Sequence, residues 1–143
     1  MDIKIKIIEG GKLPEYKTVG SAGADCFARI TESVIVKSGR IATVPLGFAV
    51  EIPDGYEMQI RSRSGLARKK GIQVFNAPGT IDCDFRGEVG AIIFNASSEA
   101  FEIKPNDRIA QAVIAPVVQA KWNTVEELSS TERGEGGFGS TGI

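Results

Sequence analysis

The candidate general bases in this chain are carboxylates, because the 143-residue sequence contains no histidine. That absence removes Ser-His and Cys-His nucleophiles and His-ligated zinc or iron sites. Segment 76–88 carries the carboxylates Asp82, Asp84 and Glu88 and the aromatic Phe85 in a glycine-bounded stretch. We predict a general base or a metal-organising carboxylate here, and a polar loop between strands is the alternative.

A second segment, 61–67, could bind phosphate. Arg63, Ser64 and Gly65 bring a guanidinium, a hydroxyl and a backbone amide together, and such groups can bind phosphate oxygens. The alternative is a solvated basic turn, since residues 68–70 continue the positive charge. The two interpretations are about equally supported by this segment alone.

Two isolated polar residues also stand out. Asp25 follows the small residues 22–24 and is expected just before a strand, where a turn aspartate holding its own backbone is the alternative. Gln111 is the one polar residue in an apolar run and must find partners if it is buried. A satisfied core glutamine is the alternative there.

The C-terminal segment 129–143 offers a single aromatic and almost nothing to bury, so we expect a mobile tail in the free protein. Its glycines leave backbone amides approachable, and its side chains suit closure over a planar, phosphorylated ligand. Those side chains are Arg133, Phe138, Ser140 and Thr141. The segment lacks the lysine of a P-loop, and a disordered glycine-rich terminus is the alternative.

The elements that would position these residues are short strands. Glycine supplies 17 residues, about 12% against a usual ~7%, and it punctuates β-branched runs as in an all-β sandwich or barrel. Strands are predicted at 3–7, 34–36, 41–44, 48–52, 56–60, 72–75, 89–94, 100–103 and 109–117. Residues 53–55 predict a hairpin, and 104–107 another turn. Segments 64–69 and 124–128 could each hold a short helix, the second capped by Asn123 or Thr124.

Charge and composition exclude several classes of protein. Seventeen basic residues against 18 acidic ones give a net charge of -1, which disfavours non-specific nucleic-acid binding. Two cysteines, Cys26 and Cys83, are too few for a metal cage and are expected to be reduced thiols. The sequence begins with an alternating strand pattern and has no apolar run long enough to span a bilayer, so we expect no membrane partner.

Taken in order, five segments resemble the five motifs of the homotrimeric dUTP diphosphatase (dUTPase) family, from about Gly20 to the C-terminus. The matching segments are residues 22–25, 63–67, 79–88, 107–111 and 133–142. The resemblance implies a jelly-roll-like β-sandwich or barrel over residues 1–128, with a mobile tail over 129–143. It also implies hydrolysis of dUTP to dUMP and pyrophosphate with Mg²⁺, a homotrimer with active sites at subunit interfaces, and a cytoplasmic location, or a host-cell interior for a viral protein.

Site roles carried over from the family fall on matching positions of this sequence. Asp82 would activate the attacking water and meet the deoxyribose 3'-hydroxyl, and Asp25 and Gln111 would reach Mg²⁺ through water. Phe85 would pack under the sugar, and Asn76 with the following backbone up to Gly90 would read uracil. The implied substrate-binding set is Arg63, Ser64, Gly65, Asn76, Gly79, Thr80, Ile81, Asp82, Phe85, Gly90, Gln111, Arg133, Phe138, Gly139, Ser140 and Thr141.

The sequence departs from the family pattern at three positions. The family usually has tyrosine at Phe85, proline at Ser62 and an aliphatic residue at Cys26, and none of these changes removes a proposed catalytic group. Three different functions compete with dUTP hydrolysis. The related dCTP deaminases need a glutamate in the strand after the third motif, and 89–94 contains no carboxylate. The second alternative is a regulatory protein whose binding to a partner depends on nucleotide, and the third is a non-catalytic β-sandwich.

Overall fold

The computed structural model describes residues 1–137 and contains eleven strands and one short helix within that range. The strands are β1 Lys4–Ile7, β2 Ala24–Phe27, β3 Val34–Val36, β4 Ile41–Pro45, β5 Phe48–Glu51, β6 Tyr56–Arg61, β7 Ile72–Val74, β8 Gly79–Ile81, β9 Gly90–Asn95, β10 Phe101–Ile103 and β11 Arg108–Pro116. The helix is α1 Ser64–Lys70. The all-β prediction is confirmed.

The strands form a jelly-roll-like sandwich in which every ladder is antiparallel. A four-stranded sheet has the order β2-β11-β6-β8 and a three-stranded sheet the order β4-β9-β7. The pairs β1-β5 and β10-β3 complete the fold. Because β2 and β8 are the two edges of the larger sheet, the segments around Asp25 and Asp82 lie at opposite sides of it.

The core follows from alternation along the strands. In β9 every second residue is buried, ending at Asn95, which is fully buried. The Asn95 amide donates to the carbonyls of Val36 and Glu99, and its oxygen accepts from Ser97, so the buried polar group is satisfied. The largest fully buried apolar side chains are Phe48, Leu46, Ile60, Ile72, Ile93, Ile103 and Ile109.

Two local predictions are wrong. Residues 53–55 turn the chain, with the Tyr56 amide donating to Pro53, but β5 and β6 are not hairpin partners because β5 pairs with β1 and β6 joins the larger sheet. Residues 124–128 form no helix; their side chains are exposed, so no tertiary contact offsets the cost of nucleating a short helix. The predicted helix at 64–69 is confirmed by α1, which ends at Lys70 and is capped by Gly71 with φ +66°.

No helix among residues 1–137 combines the length and apolar character that a membrane crossing requires.

Candidate functional site

Three of the predicted segments meet at one end of the larger sheet. In the ladder registers Gln111 of β11 lies opposite Asp25 of β2 on one side and Arg61 of β6 on the other. The Gln111 amide donates to the Ser62 carbonyl at 2.8 Å. A Cβ built on Gly23 would collide with Gln111 Oε1, so glycine is required there for the glutamine to occupy its position.

Asp25 is the centre of an ion-pair cluster. It lies within β2, not just before a strand as predicted, because its backbone pairs with β11 and with Glu15. Arg63 Nε donates to Asp25 Oδ1 at 2.8 Å, and Arg108 Nη1 donates to Oδ2 at 3.0 Å. The Asp25 side chain is 12% exposed, so both carboxylate oxygens are engaged in a largely buried setting.

Arg63 and Arg108 also line a shared cavity. Arg63 Nη1 donates to the Arg108 carbonyl at 2.8 Å, which holds the two arginines side by side. The cavity measures about 260 Å³ and its wall includes Leu66, Phe101 and Asp107. The two guanidinium groups line this cavity with N–H donors of the kind that bind phosphate oxygens, and the carboxylates of Asp25 and Asp107 offset their positive charge.

Arg108 and Ser62 were not assigned roles from the sequence. Arg108 contacts Asp25 across 83 residues, and no local pattern signals such a pair. The Ser62 hydroxyl accepts a hydrogen bond from the Val74 amide at 2.9 Å, which ties the arginine segment to β7. The position where proline is usual in the resembling family therefore carries a tertiary contact here.

The second group of predicted residues lies at the opposite edge of the same sheet. Gly79, Thr80 and Ile81 form β8, which pairs with β6, although the sequence suggested no strand there. Asn76 lies against Gly79, since a Cβ on Gly79 would come 3.2 Å from the Asn76 amide nitrogen. Gly90 begins β9, opposite Pro45.

Asp82 follows β8 and is exposed. It lines a hollow of about 680 Å³ together with Asp54, Cys83, Asp84 and Gln119, among others. The Phe85 amide donates to the Asp82 carbonyl at 3.2 Å, so the chain turns directly after the aspartate. The Asp82 hollow and the Arg63–Arg108 cavity have no lining residue in common.

Phe85 is 42% exposed and its ring lies over Gly87. A Cβ at Gly87 would come 2.6 Å from the ring, so glycine is what allows the aromatic to fold back onto the loop. Arg86 Nη1 donates to the carbonyls of Cys83 and Phe85, which closes the turn. The loop 82–87 is therefore a hydrogen-bonded turn in which the Asp82 carboxylate and the Phe85 ring are exposed to solvent.

The loop ends at Glu88, which the sequence grouped with the candidate carboxylates. Its carboxylate accepts two hydrogen bonds from Arg29, and the Arg29 interaction holds the pKa of Glu88 below its ordinary value. Glu88 is thus committed to an ion pair and is a poor general base. The cysteines differ in environment: burial raises the pKa of the Cys26 thiol to about 12, while Cys83 is partly exposed.

The predicted tail falls partly within the described residues. Arg133 is exposed and its Nε donates to the Gly136 carbonyl at 2.8 Å. Phe138, Gly139, Ser140 and Thr141 lie outside the described residues. Upstream of the tail, residues 117–128 lack regular secondary structure and expose large apolar side chains, including Val118, Trp122 and Leu128.

Comparison with known proteins gives one consistent result. The dUTPase family model matches residues 9–142. A deoxyuridine 5'-triphosphate nucleotidohydrolase of Treponema denticola is 54% identical over 100% of this chain and 99% of its own length. A Tyr-to-Phe mutant of the Staphylococcus bacteriophage 80alpha dUTPase with dUpNHpp has a TM-score of 0.84 and 30% identity, covering 99% of both chains. An Asp-to-Asn mutant of the phage phi11 dUTPase of S. aureus, described with a structural Mg(II) ion, has a TM-score of 0.81 and 25% identity, covering 91% of this chain and 100% of its own.

Proposed function

The chain belongs to the dUTPase family and hydrolyses dUTP to dUMP and pyrophosphate, and we propose that Asp82 is the general base of that reaction. Asp82 is exposed at the end of a paired strand, in a hollow open to a substrate. Glu88, at the far end of this loop, is held in its ion pair with Arg29. Asp84 lines the same hollow, but Asp82 is the aspartate to which the family resemblance gives the base role. The exposed carboxylate of Asp82 after β8 is the observation that carries the assignment.

Asp82 would accept a proton from the water that attacks the phosphate chain, while the same carboxylate contacts the deoxyribose 3'-hydroxyl. Positioning the water and neutralising phosphate charge supply most of the acceleration in such a reaction. Turnover by dUTPase keeps uracil out of DNA and supplies dUMP for thymidylate synthesis.

The nucleoside would be bound by the segment around β8. Asn76 and the backbone from β8 to Gly90 would read the uracil edge, including Gly79, Thr80 and Ile81. A base that mismatches fixed hydrogen-bonding groups leaves them unpaired, which makes discrimination against cytosine steep. Phe85, lying over Gly87, would pack under the sugar where a ribose 2'-hydroxyl would clash.

The phosphates would be bound where the segments of Asp25, Arg63 and Gln111 meet. Arg63, Ser64 and Gly65 lie at the start of α1, and Gln111 lies beside them through Ser62. Arg63 and Arg108 line one cavity, and their N–H groups are donors that suit phosphate oxygens. Because it lines this cavity with Arg63, Arg108 is added to the phosphate-binding residues predicted from the sequence.

Mg²⁺ would be held near Asp25 and Gln111 only through water, because both Asp25 oxygens already accept hydrogen bonds from Arg63 and Arg108. Among residues 1–137 no three Asp, Glu or Cys side chains converge into a metal cage. Mg²⁺ dehydrates reluctantly and is usually held by few carboxylates, several waters and substrate phosphates. Asp25 and Gln111 would reach it through water, and the ion would neutralise phosphate charge when bound.

Two copies of the chain would be needed to complete one site. Gln111 lies opposite Arg61, whereas Ile81 lies opposite Met58, so Asp82 is four residues further along β6, about 13 Å at strand spacing. β11 and β8 lie on opposite sides of β6, which adds about 10 Å across the sheet. With separate cavities as well, the base and the phosphate-binding group of one active site would come from neighbouring subunits of a homotrimer.

Exposed apolar surface supports such an assembly. In segment 117–128, which lacks regular secondary structure, Val118 is 95% exposed and Trp122 is 90% exposed. A groove of about 320 Å³ between β1 and the larger sheet has a largely apolar wall that includes Ile3, Ile5 and Ile114. Apolar area of this kind is stabilised by burial against another copy of the chain.

Residues 129–143 would close over the filled site. Arg133 would contribute a cation to the terminal phosphate, and Phe138 a stacking face for uracil. Gly139, Ser140 and Thr141 would add backbone and hydroxyl donors. Closure would exclude bulk water only when substrate is present. The β domain would then be 1–128, with the tail as a separate functional unit.

The decisive variant is Asp82→Asn, with Asp84→Asn as a matched control in the same loop. We expect Asp82→Asn to lose turnover of dUTP by at least about a thousandfold while retaining nucleotide affinity, and Asp84→Asn to stay within a few fold of wild type. Pyrophosphate release and calorimetric binding of a non-hydrolysable dUTP analogue measure the two quantities. Retained turnover in Asp82→Asn would exclude it as the base.

The tail is tested separately by a chain truncated after Glu132. We expect a folded protein with severely reduced turnover, because the terminal phosphate and uracil lose their contacts. Circular dichroism and size-exclusion chromatography establish folding and assembly before the rate is compared. An unaltered rate would contradict the closure.

A further inference from the structure

The loop that carries Asp82 and Phe85 is anchored at its far end by Glu88. Arg29 Nε donates to Glu88 Oε1 at 2.6 Å, and Arg29 Nη2 donates to Oε2 at 2.7 Å. The Gly47 amide donates to the same Oε1 at 3.0 Å. The Glu88 side chain is 26% exposed and that of Arg29 is 32% exposed, so a two-pronged ion pair is partly withdrawn from water.

The anchor is itself firmly held. The Arg29 amide donates to Pro45, and the amide and carbonyl of Val89 bond to Phe48 and Leu46. Gly47, which completes the anchor, has φ +80° and packs so closely on Gly11 that any side chain at either position would collide with backbone. The turn between β4 and β5 is therefore a rigid base for Glu88.

Between its two anchors the loop is short. On one side β8 is paired with β6, and on the other Glu88 is fixed to Arg29 and Gly47. Residues 82–87 span the gap, with Arg86 bonded to the carbonyls of Cys83 and Phe85. If Glu88 moves, residues 82–87 must therefore change conformation. These six residues include Asp82, the proposed base, and Phe85, which is proposed to pack under the sugar.

We propose that Arg29 and Glu88 are a positioning pair for this loop, setting where Asp82 and Phe85 stand relative to the nucleotide. The inference rests on the roles proposed above for those two residues. Neither Arg29 nor Glu88 would touch substrate. Misplacement of reacting groups by about 1 Å can cost about a hundredfold in rate, so a partial loosening of the loop is measurable.

The expected pattern separates positioning from stability. In Glu88→Gln the fork-shaped pairing is lost, and in Arg29→Met the aliphatic stem is kept while the charge is removed. We expect each variant to lower kcat about tenfold with KM for dUTP changed by less than about threefold, and the double variant to lower kcat no further. We also expect the ratio of kcat/KM for dUTP over UTP to fall several fold, because Phe85 loses its fixed position.

The matched control is Glu102→Gln, which removes a carboxylate from an exposed pair with Lys104 on β10, away from the loop. Its kcat and its dUTP-to-UTP ratio should equal those of wild type. Arg29→Lys serves if either principal variant fails to fold, since it keeps the charge but loses the bidentate geometry. It should show a smaller fall in both readouts.

Variants that unfold at lower temperature yet retain wild-type kcat and wild-type selectivity would overturn the proposal and leave the pair with a purely structural role. Additive losses in the double variant would overturn it too, because the two residues would then not act as one unit. Asp82→Asn is measured in parallel. If Asp82→Asn retains turnover, the base assignment fails and the positioning proposal fails with it. If Asp82→Asn loses turnover while Glu88→Gln and Arg29→Met keep wild-type kcat and selectivity, only the positioning pair fails.

Discussion

Replacing Asp25 by asparagine should weaken the fold even without metal or nucleotide. The carboxylate receives hydrogen bonds from Arg63 at 2.8 and 3.4 Å and from Arg108 at 3.0 Å, and its side chain is only 12% exposed. Asparagine keeps the shape but loses the charge, and it turns one acceptor into a donor facing an arginine. If Asp25 only held Mg²⁺ through water, Asp25→Asn would leave the free energy of unfolding of the metal-free protein unchanged.

The loss can be estimated from the contacts. A hydrogen bond to a charged group contributes about 1.5 to 3 kcal/mol, and breaking a buried pair costs about 3 to 5 kcal/mol. Arg63 is 25% exposed and Arg108 is 43% exposed, so both recover some hydration. We expect Asp25→Asn to lose about 2 to 4 kcal/mol in free energy of unfolding, a fall in Tm of about 10 °C for a chain of this size.

The assay is thermal and urea unfolding in EDTA without nucleotide, at one protein concentration because assembly makes stability concentration-dependent. Asp2→Asn, at an exposed carboxylate near the N-terminus, is the control and should unfold like wild type. If Asp25→Asn unfolds within about 0.5 kcal/mol of wild type under these conditions, the ion-pair cluster does not stabilise the fold as its geometry indicates.

Three further outcomes are expected. Gly23→Ala should displace the Gln111 side chain, because the added methyl group would collide with Gln111 Oε1. We expect kcat/KM for dUTP to fall more than about tenfold in steady-state assays. An unchanged kcat/KM would contradict the role proposed for Gln111. A thiol reagent at pH 8 should label Cys83 and spare Cys26, whose burial raises its pKa to about 12, and mass spectrometry showing equal labelling in the native protein would contradict this. The hydrogen bonds from Arg29 lower the pKa of Glu88, so the ionised Glu88 carboxylate stabilises the fold above the ordinary pKa of 4.5, and this stabilisation is lost as the pH falls below that value. The difference in unfolding free energy between wild type and Glu88→Gln, measured in urea, should therefore shrink from pH 7 to about pH 3. A difference that stays constant over this range would contradict the pH dependence.

Local chemistry made the elements predictable but not their pairing. Alternation identified β1, and β-branched runs identified β3 and β4, because one face of each strand packs inward. The turn at 53–55 was recognisable from Pro53 and from Gly55, which has φ +81°. A turn reverses the chain without choosing which strands bond, and β5 bonds to β1, whose partner residues lie about 40 or more positions away.

The site was predictable as a set of segments but not as a geometry. Gln111 was identified as a polar residue needing partners, and it bonds to the Ser62 carbonyl. The contacts of Arg108 with Asp25 and of Arg29 with Glu88 span 83 and 59 residues. Charged residues at strand ends usually face solvent, so nothing in the local sequence distinguishes these arginines from ordinary surface charges.

The most direct test of a site shared between subunits is complementation between two inactive variants. Asp82→Asn and Gln111→Ala are purified separately, then unfolded, mixed in equal amounts and refolded together, and pyrophosphate release from dUTP is compared with that of each variant refolded alone. If the base and the phosphate-binding group come from neighbouring subunits, random assembly leaves about one site in four with both groups intact, and about a quarter of wild-type activity should return. If the mixture assembles but stays as inactive as its components, both groups belong to the same chain and the shared site is wrong.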